Sequence, residues 1–182
     1  MRRGFRRVRG GGVALHLDDE ELLVLDSLLA DLALLVAAPD PDPDADPLAV
    51  LVGIDDQADT PDDPALERLL PDAYPDDPAP TTEFRRFTER SLRDGKVGHA
   101  SLARECLSRG GPDLDLSPDE TSAFLGSLND LRLVLGTRLG VSEDDELGLH
   151  ALADDDPRAF AVDLYDWLTW LQDSLLHALG AS

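Results

Sequence analysis

The chain has 182 residues, 42% of them hydrophobic, which suits one domain, residues 1 to 182, around one sizeable core and leaves too little for a second. Sixteen Lys and Arg stand against 38 Asp and Glu, a formal net charge of −22. Five of the bases, Arg2, Arg3, Arg6, Arg7 and Arg9, fall in the first nine positions, so the rest carries 11 basic against 38 acidic residues, or −27; such a surface repels phosphate backbones, attracts basic partners and leaves only the N-terminal arm to touch DNA or RNA.

The opening MRRGFRRVR has the charge of an export leader, but GGGVALHLDDEE follows it in place of an apolar run, so no export signal is expected and a cytoplasmic location fits. FRRVR and VALHL flank GGG, two β-capable runs joined by residues free to take positive φ, and residues 1 to 17 are expected to form a basic hairpin. Val13, Leu15 and Leu17 would share its inward face. Arginines on both faces of the first strand suit an exposed edge that discourages pairing with other chains.

Asp18 and Glu21 have capping-box spacing, and Leu22, Leu25, Leu28, Leu29, Leu32, Leu35 and Val36 recur at helical intervals, so a first helix is expected over about 19 to 37. Asp26 and Asp31 interrupt its apolar run at roughly 3 kcal/mol each at a bilayer centre, which makes it a core helix rather than a membrane span. A Pro/Asp-rich linker is expected over 38 to 63, extended and solvated. Within it LAVLVGI, at 48 to 54, fits either a short strand or a helical turn against the core.

Asp63 as N-cap and Pro64 at the first helical position predict a short helix ending before Pro71, followed by turn and extended chain. A long helix from Thr82 would carry Phe84, Thr88, Ser91, Leu92, Gly95, His99, Leu102 and Cys106 along its inward side. Gly95 and Gly98 permit close approach of another helix or mark a break into two. Ser117, Pro118 and Glu120 open the next helix and Gly140 stops it. The last opens with Asp156 and Pro157, closes at Gly180, and shows a stripe of Phe160, Leu164, Trp167, Leu168, Leu171, Leu175 and Leu179. The expected fold is therefore mainly α, a single bundle of four to five helices with a small N-terminal hairpin.

Phe124, Leu125, Leu128, Leu131, Leu135 and Leu139 span an arc of roughly 120° on their helix, and Arg132 falls inside it. A buried guanidinium keeps its proton and needs acceptors, for which Asp163 and Asp26 are the candidates. The alternative keeps Arg132 at the rim, its stem packed and its head in water. Tyr165 and Trp170 flank the last helix's stripe on opposite sides. Either one exposed would be an anchor for a partner or a second copy, and the hairpin or the 48 to 54 segment could equally cover it.

Cys106 is the sole cysteine, so no intramolecular disulfide forms. It reads as a small packed residue, with a redox role as the minority alternative because Arg104 and Arg109 are near in sequence. His16, His99, His150 and His177 with one cysteine show no zinc spacing, and SEDDE at 142 to 146 lacks the alternation of a calcium loop, so no metal or cofactor is expected. No catalytic order of residues stands out.

Taken together, GGGVALHL, RLLPDAYPDD, EFRRFTERSLRDGK, LNDLRLVLGTRLGVSEDD and YDWLTWLQDSLL closely resemble an actinobacterial family, the AosR-like oxidative stress regulators, long carried as a domain of unknown function. The resemblance covers most of the chain apart from the Pro/Asp linker. It implies a cytoplasmic non-enzymatic regulator tied to transcription and thiol metabolism, working through a protein partner such as a sigma factor. Regulators of this type sense oxidation through a cysteine pair, and a chain with Cys106 alone departs from that. The alternative is a structural adaptor or homodimer, for example in a proteolysis pathway, without a transcriptional role.

Overall fold

A computed structural model describes residues 4–39, 61–73, 78–111, 113–141 and 156–180. The linker expected at 38 to 63 lies outside them except at its ends, as do its 48 to 54 segment, the 142 to 146 acidic loop, Arg2, Arg3 and His150. Among the described residues the chain is mainly helical, with five helices and a small antiparallel sheet.

Strands β1 (Gly4–Arg7) and β2 (Val13–His16) form the expected hairpin, Arg7 opposite Val13. Gly10 and Gly11, at φ 101° and 91°, turn the chain, and Val8 N–H closes the loop on Gly12 C=O at 2.9 Å. Val13, Leu15 and Leu17 are all buried. A third strand, β3 (Asp113–Leu116), pairs with β2 so that Leu114 meets Leu15 and Leu116 meets Val13. The sequence reading missed it, although DLDL alternates as a half-buried strand should; four residues are too few for periodicity to declare it. Nor is β1 an open edge. The Phe5 N–H donates to Ser174 Oγ at 3.0 Å, so the last helix occupies the side where another strand would add.

Helix α1 (Asp19–Val36) starts at the complete Asp18/Glu21 capping box. Helix α2 (Pro64–Leu69) starts with Asp63 Oδ1 accepting from Ala65 N–H at 2.8 Å. Helix α4 (Pro118–Leu139) has the Ser117/Glu120 box at its start and Gly140 at φ 71° at its end. Helix α5 (Ala159–Leu179) begins two residues beyond Pro157, because Asp156 Oδ1 takes the Arg158 N–H in a turn that precedes it, and it ends at Gly180 with φ 83°. Helix α3 (Pro78–Ser108) begins four residues before Thr82 and continues unbroken through Gly95 and Gly98.

The core joins Leu25, Leu29 and Leu32 of α1 to Phe124 and Leu128 of α4, Leu168, Leu171 and Leu175 of α5, and Phe5 and Leu15 of the sheet. Phe5 meets Phe124 edge to face at 5.5 Å. Helix α3 brings mainly small groups, Ala100, Ala103 and Cys106, all fully buried, with Leu107 near its end.

The inward side of α3 differs from the sequence expectation. Thr81, Arg85, Glu89 and Arg93 face inward, ahead of Ala100, Ala103 and Leu107, whereas Phe84 and Leu92 are exposed. The stripe is turned by about 100°, one residue, from the expected one. Charged residues can occupy it because each buried guanidinium finds carboxylate and carbonyl acceptors there.

Candidate functional site

The most heavily constrained polar cluster lies along α3, where Arg85, Glu89 and Arg93 follow one another at four-residue spacing. Arg85 Nη1 donates to Glu89 Oε2 at 2.6 Å, and Arg93 Nε donates to Glu89 Oε1 at 2.8 Å. Each arginine also closes another helix. Arg85 Nη2 reaches Leu70 C=O, at the end of α2, at 2.7 Å, and Arg93 Nη1 reaches Val36 C=O, at the end of α1, at 3.0 Å. Helix α1 has no basic residue in its own last turn, so Arg93 supplies the positive charge that the C-terminal carbonyls favour. Asp72 takes a further bond from Arg85 Nε at 2.8 Å. Burial alone would lower the Arg85 pKa, and hydrogen bonds to Asp72 and Glu89 reverse the direction. A second polar link joins α3 to α4, where Lys96 Nζ meets the buried Asp130 at 2.7 Å.

Arg132 is half-buried and has other partners than those expected. Its Nε donates to Thr169 Oγ1 at 3.0 Å, its Nη1 to Gln172 Oε1 at 2.6 Å, and its guanidinium lies 5.6 Å from the Tyr165 ring centroid. Asp163 is exposed, and two residues before Tyr165 it points about 200° away around α5. Asp26 instead forms a two-point pair with Arg104, at 2.8 and 3.2 Å. With neutral acceptors around it, Arg132→Met is expected to cost about 1–3 kcal/mol, chiefly from the acceptor left on the buried Gln172; urea unfolding measures it.

Cys106 is fully buried, and Arg109 Nη2 lies 2.9 Å from its sulfur. Burial pushes the thiol pKa up to about 11, with the Arg109 charge opposing that rise only in part. The guanidinium is also engaged by Glu120 and by Asp115 C=O. His99 does not join the thiol. It is exposed and lies over Gly126 of α4, where an added Cβ would come within 2.8 Å of its Nδ1. The native thiol is therefore expected to react with iodoacetamide at neutral pH at least about 100-fold more slowly than the unfolded chain, as timed labelling with mass spectrometry would show.

On the outer face of the sheet, Arg6 Nη2 binds Asp113 Oδ1 at 2.9 Å and His16 Nδ1 approaches the same oxygen at 3.1 Å. Arg7 lies near Gly180 at the end of α5, its Nη1 3.9 Å from where a Cβ would stand. Arg9 is exposed beside the turn. Trp170 is 43% exposed, yet its ring edge fits against Gly4, where a Cβ would come within 2.8 Å. Thus two of the arm's described arginines and both flanking aromatics, Tyr165 and Trp170, already have neighbours within the chain.

Arginines hold several carboxylates below their ordinary range: Arg109 does so to Glu120, Arg6 to Asp113, Arg138 to Asp63 and Arg158 to Asp156. A depressed folded-state pKa contributes stability that is complete above the unfolded value and is lost as pH falls through the folded one. These contributions should begin to fall as pH drops below about 4.5 for Glu120 and about 3.8 for the three aspartates, the ordinary values, and be gone only below the depressed folded values. Arg109→Gln should shrink the fall in thermal midpoint between pH 5 and 3.

Among the described residues, no group of three or more His, Cys, Asp or Glu is placed to hold a metal ion, and no helix is long and apolar enough to cross a membrane. The arrangement is one of helices tied to α3 by its buried arginines, which close the carbonyl ends of α1 and α2, and by the Lys96–Asp130 pair to α4.

The family described as "Domain of unknown function (DUF2017)" matches residues 1–179. The chain belongs to this family. Its relatives include an AosR protein of Mycobacterium leprae, 34% identical over 75% of this chain and 68% of the relative. The oxidative stress regulator AosR of Mycobacterium bovis and that of Mycobacterium tuberculosis H37Rv are each 32% identical over 76% of this chain and 68% of theirs. No solved structure matches the chain significantly. Membership in a family whose relatives are named as regulators supports a regulatory role and points away from catalysis.

Proposed function

We propose that this DUF2017 chain is a non-enzymatic cytoplasmic regulator that acts on transcription through protein contacts of its acidic helical body, with a transcription component such as a sigma factor as the partner. The observation that carries this reading is the match, over three quarters of the chain, to proteins named oxidative stress regulators. The net charge of −22 supports a basic protein surface as the counterpart. DNA contact, if the chain makes any, is confined to the arm bearing Arg2, Arg3, Arg6, Arg7 and Arg9. The buried, high-pKa Cys106 favours a link to oxidative stress that runs through the partner rather than through oxidation of this thiol.

Crosslinking in the native host, with and without oxidant, followed by identification of the captured proteins, tests the proposal. Recovery of a transcription component supports it. Recovery of none, together with no DNA binding at low salt, overturns it, and deletion of residues 1 to 9 isolates the arm.

A further inference from the structure

We propose that the outward side of α1 is a docking surface for a basic amphipathic helix of a partner protein. The proposal rests on the reading of the chain as a regulator working through protein contacts, and it names the surface.

Helix α1 is leucine-rich all the way round. Leu25, Leu29, Leu32 and Val36 fill the core, yet Leu23 and Leu34 on the opposite side stand 73% and 78% exposed. Eleven residues apart, these two share a longitude to within about 20° and lie about 16 Å apart along the axis. That is the span an amphipathic helix covers with anchors at i, i+3 or i+4, i+7 and i+11. Ser27 and Ala30, both small, lie between them. Large exposed leucines on the side of a helix that faces away from the core are apolar surface open to a partner. Among the described residues, the chain packs against only one side of α1.

Charge selects the occupant. Residues 19–36 contain no Lys or Arg. Asp26 is held by Arg104, whereas Asp19, Glu20 and Asp31 flank the leucines and are exposed. A second copy of the chain laid on this face would set carboxylate against carboxylate, whereas a helix with lysines or arginines beside its apolar stripe would be attracted and held in register.

The test uses the full chain and a fluorescently labelled synthetic helix of about 18 residues, leucines on one stripe and lysines beside it, with a glutamine-flanked version as control. Anisotropy titration should show the Leu23→Ser/Leu34→Ser double variant binding at least about tenfold more weakly, with its thermal midpoint unchanged. The Asp19→Asn/Glu20→Gln/Asp31→Asn variant should bind weakly and with little salt dependence, and the glutamine-flanked helix should bind less tightly than the lysine one. Equal binding by the serine variant overturns the proposal. So does a wild-type dimer in sedimentation that the serine variant dissociates, since the occupant is then a second copy. Loss of folding in the serine variant also overturns it, because the leucines are then covered by the chain itself. Crosslinking in the host separates this from the regulatory reading. If the serine variant still captures a transcription component, the docking surface falls and the regulator stands. If the wild type captures none while peptide binding stays serine-sensitive, the regulator falls and the surface stands.

Discussion

Glu89→Leu is expected to destabilise the protein by about 3–5 kcal/mol, the loss that follows when one member of a buried ion cluster is removed and the others stay. The Glu89 side chain is 11% exposed and lies between Arg85 at 5% and Arg93 at 9%. Without it two guanidinium ions remain desolvated, and neither can shed its proton. Asp72 still serves Arg85, but Arg93 keeps only the Val36 carbonyl among its named acceptors. The triple change Arg85→Met/Glu89→Leu/Arg93→Met should cost less than Glu89→Leu alone, since it removes the stranded charges and leaves two carbonyls uncapped and Asp72, which is partly exposed to water, without Arg85. Urea unfolding of both variants decides the matter. A Glu89→Leu protein as stable as the wild type would mean that water reaches the cluster.

Phe124→Ala is expected to cost about 3–5 kcal/mol, the range for deleting a buried aromatic ring. The side chain is fully buried where α4 faces the sheet, and its edge-to-face contact with Phe5 fastens the N-terminal hairpin to the helices. The same hairpin is held from α5 through Ser174 and Trp170, so the void should loosen β1 before it loosens the helix seams. Hydrogen exchange at the β1 amides should speed up more than at α1. A Phe5→Ala/Phe124→Ala cycle should return a coupling of about 0.5–1.5 kcal/mol.

Much of the fold was legible in the residues. The capping boxes at Asp18/Glu21 and Ser117/Glu120, the Asp63–Pro64 start and the Gly140 and Gly180 stops are written in neighbouring positions, and each appears in place. The stripes of α1 and α5 were legible for the same reason, although Phe160 and Leu179 at the two ends of the α5 stripe are exposed. The candidate site was far less so. Arg132, conspicuous among leucines, draws on Thr169 and Gln172, while the arginines that carry buried ion pairs, Arg85 and Arg93, sit in a stretch that reads as polar surface. The available signal was the i, i+4 order Arg85, Glu89, Arg93, which also describes many solvated helices.

By itself the sequence determined where α1, α2 and α4 begin and where α4 and α5 end, the net charge, the impossibility of an internal disulfide and the family. These depend on groups a few residues apart or on composition. Which side of α3 turns inward, where β3 pairs, and which carbonyls the buried arginines close were decided only by tertiary structure. Each depends on acceptors brought from far along the chain, such as Val36 to Arg93 and Leu15 to Leu114. A guanidinium may be buried only where such acceptors converge, and that convergence exists only once the helices have packed.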